Sequence, residues 1–90
     1  MFKIIFAAQA KEDIAKLKRN EPSAHKKVIQ LLNELMDHPK TGTGHPEQLK
    51  GNRSGQWSRQ ITKKHRLVYE IHDDVIEVLV LSSYGHYGDK

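Results

Sequence analysis

Cysteine is absent from this 90-residue chain. That excludes a disulfide framework and any thiolate-held metal, and it suits a reducing cytosol. Long apolar runs are missing too. The N-terminal run, residues 1–8, is too short for a signal peptide, and Gln9, Lys11 and Glu12 follow at once. Nothing approaches the roughly 20 apolar residues of a membrane span. The expectation is a soluble, cytoplasmic protein. Repeats, low-complexity tracts and interdomain linkers are lacking, so residues 1–90 read as one domain with a modest core. Phosphate-cradling glycine loops and serine-nucleophile motifs are lacking as well. Six histidines are present, at positions 25, 38, 45, 65, 72 and 86, but none stands at a metal-ligand spacing. Neither a metal nor another cofactor is expected.

Acid is scarce in one place. The chain has 15 Lys and Arg against 11 Asp and Glu, a net charge of +4. Between residues 40 and 66 the balance is sharper. Lys40, Lys50, Arg53, Arg59, Lys63, Lys64 and Arg66 stand against a single carboxylate, Glu47. A basic stretch favours nucleic acid or another acidic partner. A lone acid among cations is also what a metal-free phosphodiesterase needs: the acid takes a proton from the nucleophile, and the cations bind phosphate and neutralise the charge developing on it. The plainer alternative is a solvated charged face.

Periodicity supplies the scaffold. Residues 2–6 read as a strand. Residues 9–20 read as a helix, with Ala10, Ile14 and Leu17 on one stripe. Residues 20–23 break the chain, and Ser23 is positioned to cap a second helix that runs to Met36. Its apolar face carries Ala24, Val28, Leu31, Leu32 and Leu35. His38 and Pro39 end it. A long connection covers residues 40–55, a length that in small domains usually carries function. Strands follow at 56–61, 65–71 and 75–82, separated by turns at 62–64 and 72–74, with a tail from Ser83. The last strand, apolar on both faces, is expected near the sheet centre. The fold class is α+β: a strand, two helices, then a three-stranded antiparallel meander, giving a four-stranded sheet. The helices cover one face and leave the other for chemistry. Strand alternation turns Leu67, Tyr69 and Ile71 to the core and Arg66 to the open face.

Each candidate has two readings. Glu47 is a general base or a solvated loop acid. Arg66, between apolar neighbours, is a phosphate contact or a strand-end charge. Trp57 and Arg59 form a stacking and basic pair for a base, or Trp57 is core. Lys50 is a phosphate contact or plain solubilising charge. His86, in Tyr84-Gly85-His86-Tyr87 just past the last strand, is a general acid or part of a tail.

The segments Pro46-Glu47-Gln48-Leu49-Lys50, Ser54-Gly55-Gln56-Trp57-Ser58-Arg59, His65-Arg66-Leu67-Val68-Tyr69 and the terminal His86-Tyr87 occur in that order. This combination resembles the Txe/YoeB family of toxins from type II toxin–antitoxin systems, within the RelE-like superfamily. The resemblance covers essentially the whole chain. It implies a fold like that of the small microbial ribonucleases. It implies a metal-independent endoribonuclease that cuts mRNA in the ribosomal A site and inhibits translation, leaving 2′,3′-cyclic phosphate and 5′-hydroxyl ends. By motif, Glu47 falls on the general base, Arg66 on the transition-state arginine and His86 on the general acid. Tyr87 falls on the terminal tyrosine and Lys50 on a basic residue near the scissile phosphate. The implied partners are the ribosome with its mRNA and a cognate, YefM-like antitoxin; a homodimer is compatible with the family. Two positions depart from the pattern. Gln60 stands where close relatives carry a second arginine. Gly85 precedes His86, and Gly88, Asp89 and Lys90 follow Tyr87.

Two other readings share this architecture. One is a ParE-like gyrase inhibitor with no catalysis. The other is a nucleic-acid-binding module that uses the basic face and forms no product. Fold alone does not decide function; the co-occurrence of Glu47, Arg66 and His86 argues against the first, and the second would bind RNA whether or not a 2′-hydroxyl is present.

Overall fold

The computed structural model describes residues 1–84. Its elements run β1 (Lys3–Phe6), α1 (Ala8–Asn20), α2 (Pro22–Asp37), β2 (Glu47–Gln48), a short 3-10 turn (Gly51–Arg53), β3 (Gln56–Gln60), β4 (Arg66–His72) and β5 (Glu77–Ser82). The strands form one five-stranded sheet in the order β1-β5-β4-β3-β2. The meander β3-β4-β5 is antiparallel, and β1 joins β5 in parallel after the two helices.

The helices lie on one face because their stripes demand it. Ala10 and Leu17 from α1 and Ala24, Val28, Leu31 and Leu35 from α2 are buried together with Leu67, Tyr69, Val78 and Val80 from the sheet. Leu67 and Tyr69 therefore face the core as alternation requires, and Ile71 packs against the same cluster. Leu49 and Val68 are buried but stand outside it. They belong to the opposite face of the sheet, where they make a small apolar floor.

Two expectations are corrected. The sheet has five strands, not four, because two residues of the long connection pair with β3; a two-residue strand is too short to leave a periodic trace. The last strand, β5, is interior as expected, paired with β1 on one side and β4 on the other. The second helix starts at Pro22 with Glu21 before it and no side-chain cap. Proline is suited to the first helical position, which leaves Ser23 inside the first turn and frees Glu21 for a contact elsewhere.

Candidate functional site

The cross-strand register assembles the face away from the helices. Glu47 on β2 lies opposite Ser58 on β3, Ser58 lies opposite Val68 on β4, and Val68 lies opposite Ser82 on β5. Directly opposed residues share a face, and so do residues two apart on one strand. Arg66 precedes Val68 by two and opposes Gln60. Glu47 and Arg66 thus share the open face, with β2 and β4 separated by two strand spacings, about 10 Å. Glu47 is exposed, Arg66 is half-buried, and the floor between them is Leu49, Ser58 and Val68. Lys50 is exposed just after β2, at the entry to the 3-10 turn.

What aims Glu47 is the loop before it. Gly44 accepts the Gln60 N–H through its carbonyl at 2.7 Å. Its φ is +87°, and a Cβ there would stand 2.9 Å from the Gln60 carbonyl oxygen. Only glycine allows so close an approach at that backbone angle. The loop is therefore pinned to β3 three residues before the carboxylate.

Arg59 is not a substrate contact, contrary to the sequence expectation. It is fully buried and sits on the core side with Tyr69. Its Nε–H donates to the Tyr69 hydroxyl at 3.1 Å. Nη1 donates to Glu34 Oε1 at 3.0 Å and to the Thr43 carbonyl at 3.4 Å. Nη2 donates to the carbonyls of His38 and Thr41. Five donors meet five acceptors, the full capacity of a guanidinium. Tyr69 in turn donates to the Pro39 carbonyl at 2.9 Å, and burial pushes its phenol above the ordinary range. Glu34 accepts the Thr43 N–H at 2.8 Å. That bond first, and the Arg59 charge with it, holds the Glu34 carboxyl below its usual value. The arginine is the centre around which residues 38–43 are wrapped.

For Trp57 strand parity favours the core alternative. It opposes Gln48 and Tyr69, so it points away from Glu47, and it packs half-buried against the core. Together with Lys40, Gln48, Gly55, Ile71 and Asp73 it lines a recess of about 480 Å³ on that side. His86 and Tyr87 lie outside the described residues. Among the described residues no three metal-ligating side chains gather, and no helix is long and apolar enough to cross a membrane.

Two residues escaped the sequence reading. Ser58 is fully buried in the floor, and its Oγ has no hydrogen-bond partner among the described residues. His65, just before Arg66, is buried with Nε2 2.7 Å from Glu21 Oε2. That bond is the main reason the Glu21 carboxyl is held below its usual value. The signal available for both was their place in the motif segments that carry the family resemblance, and for His65 also its position next to Arg66.

Comparison with known proteins adds three findings. The family model described as a YoeB-like toxin of bacterial type II toxin-antitoxin systems matches residues 6–87. Toxin YoeB of Escherichia coli (strain K12) is 36% identical over 85 residues, which span 94% of this chain and 99% of that protein. Two Staphylococcus aureus structures superpose over nearly the whole chain. One is a YoeB–YefM complex (TM-score 0.81, 35% identity, 97% of this chain and 99% of the other). The other is a YoeB dimer (TM-score 0.82, 36% identity, 96% and 98%).

Proposed function

This chain belongs to the YoeB-like toxin family of bacterial type II toxin–antitoxin systems, and on that premise we propose that it is a metal-independent, ribosome-dependent endoribonuclease that cuts mRNA in the A site. The observation that carries the reading is the register that puts Glu47 and Arg66 on one open face, across a floor of buried Leu49, Ser58 and Val68.

In the proposed reaction Glu47 removes the proton from a ribose 2′-hydroxyl. The 2′-oxygen attacks the adjacent phosphorus and forms the new P–O bond. Arg66, with Lys50, stabilises the dianionic phosphorane. His86 protonates the 5′-oxygen as its bond to phosphorus breaks. The products are a 2′,3′-cyclic phosphate and a 5′-hydroxyl. A placed acid or base supplies on the order of 10² to 10⁴ in rate, and donors fixed where charge develops supply a comparable factor. Gln60 opposite Arg66 leaves that arginine without a cationic neighbour on β3, so most of the charge stabilisation is assigned to Arg66.

The proposed partners are the translating ribosome, an antitoxin and, in the free protein, a second copy of the chain. The YoeB–YefM complex and the YoeB dimer from Staphylococcus aureus support the last two. The basic balance of residues 40–66, Lys50 and Arg66 included, suits a small acidic antitoxin whose C-terminal segment folds over the open face.

The test is expression with and without a YefM-like antitoxin, followed by mapping of message ends on programmed ribosomes. Growth arrest, relief by the antitoxin and new 5′-hydroxyl ends in the A-site codon are expected. Tight binding of RNA or of gyrase with no new ends would replace the reading with a non-catalytic one.

A further inference from the structure

Trp57 is the only tryptophan of the chain, and the recess of about 480 Å³ beside it is within the range of about 300–1,000 Å³ that small-ligand sites occupy. Gln48 opposes Trp57 in the β2–β3 pair, and Tyr69 opposes it in the β3–β4 pair. Ile71 stands two residues beyond Tyr69, on the same face of β4. An exposed amide and an apolar side chain therefore flank the indole on neighbouring strands. Gly55 lines the same recess. Its φ is +93°, and a Cβ there would meet no atom of the described residues within 4 Å. Glycine suits that backbone angle and leaves the space beside the half-buried indole open. Among the described residues, neither the Gln48 amide nor the indole N–H has a hydrogen-bond partner. Lys40 completes the lining, with Nζ 3.7 Å from Asp73 Oδ2 and both side chains more than half exposed. An ion pair so exposed is weak, so the ammonium is available to a stronger anion.

We propose that this recess binds an unpaired adenine nucleotide: the indole stacks the base, the Gln48 amide reads its edge, and Lys40 takes its phosphate. Each part follows from the chemistry of the groups present. An aromatic side chain with a free side is a stacking platform for a base. A glutamine amide offers one donor and one acceptor, which match the acceptor N7 and donor N6 of adenine together. Guanine presents two acceptors on that edge, so the same amide fits it less well. An ammonium on a flexible stem is a point charge for phosphate. The site lies on the opposite face of the sheet from Glu47. Gln48 and Glu47 are neighbours on β2, the edge strand, and turn to opposite faces. A single RNA strand passing round that edge would present one nucleotide to each. The inference does not rest on Glu47 and Arg66 as reacting groups.

The bland reading is a half-buried tryptophan under a solvated ion pair. Titration of the intact protein with AMP, without ribosomes, separates the two. Binding is followed by the emission of the single tryptophan and by its indole N–H signal in NMR. Both should change saturably with AMP, and GMP should bind about fivefold or more weakly. Gln48→Leu should weaken AMP by about fivefold or more and remove the preference over GMP. Lys40→Ala should weaken AMP, Asp73→Asn should tighten it by freeing the ammonium, and Lys63→Ala, outside the recess, should leave it unchanged. A 2′-O-methyl oligoadenylate distinguishes the sources of the ligand: a tighter fit than AMP assigns the recess to an RNA strand, and an equal fit assigns it to the free nucleotide. If neither AMP nor the oligoadenylate moves the indole signal, the inference is overturned. It is overturned as well if AMP and GMP bind alike, or if Lys63→Ala weakens AMP as much as Lys40→Ala does. Because no cleavage is read, failure here leaves the nuclease reading standing, and an inactive wild type leaves this site standing.

Discussion

Arg59 and Tyr69, ten residues apart on neighbouring strands, are joined by a 3.1 Å hydrogen bond inside the core, and both side chains are fully buried. From this pair the contacts radiate to Glu34 and to the carbonyls of residues 38, 39, 41 and 43. The long connection that delivers Glu47 is thus anchored on a buried charge rather than on apolar packing.

Arg59→Met should destabilise the fold by about 3–5 kcal/mol, because it strands Glu34 and three part-buried carbonyls. Arg59→Lys should recover less than half of that, since three donors cannot replace a five-donor fork. Denaturant midpoints measure both. A cost below about 1 kcal/mol for the methionine variant would show that the loop is held by something else.

Two buried hydroxyls without partners among the described residues, Ser58 and Ser83, give the opposite sign. Leaving a buried hydroxyl unpaired costs about 1–3 kcal/mol, so Ser58→Ala and Ser83→Ala should each melt at or above the wild-type temperature. Ser83→Ala keeps the backbone N–H that Asp13 accepts. A clear loss of stability in either variant means that the hydroxyl has a partner in solution.

Acid should loosen the same architecture. The carboxyls of Glu34 and Glu21 are both held below their usual range, the first chiefly by the Thr43 N–H and the second chiefly by His65. A carboxyl whose folded pKa lies below its unfolded value stabilises the fold fully above the unfolded value, about 4.3 for glutamate, and this is lost as pH falls through the folded one. Urea midpoints should therefore fall below about pH 4. Glu34→Gln should be less stable than wild type at pH 7, and the gap should close in strong acid. A gap that stays constant with pH would remove Glu34 from the account.

Much of this was legible from residue pattern. Both helices, the meander and the inward set of Leu67 and Tyr69 follow from periods of 3.6 and 2, and the outward turn of Arg66 follows from theirs. The fifth strand was not legible, because Glu47 and Gln48 become a strand only by pairing with Ser58 and Trp57. Arg59 was misread for a related reason. A charged residue in a basic stretch looks like a surface residue, and only the wrapping of residues 38–43 supplies the acceptors that let it be buried. Trp57 takes its core alternative beside Arg59, since both share the core-facing parity of β3.

Among the proposed reacting groups, Arg66→Ala should be the most damaging, because Gln60 rather than a second arginine opposes it. Glu47→Gln should cost roughly 10² or more in the chemical step, and His86→Gln a similar factor. Glu47 is exposed and Arg66 half-buried on an open face, so these two variants should melt within a few degrees of wild type. Rates and melts recorded side by side check this. Three variants that melt normally and cut at the wild-type rate would move the active site elsewhere.

The most direct measurement is single-turnover cleavage of a ribosome-bound message carrying one 2′-deoxynucleotide immediately 5′ of the scissile bond. If Glu47 works on a 2′-hydroxyl, cutting at that bond stops while the protein still binds the programmed ribosome, and the all-ribose control yields a 2′,3′-cyclic phosphate. Cleavage of the deoxy message at the normal rate would contradict the mechanism.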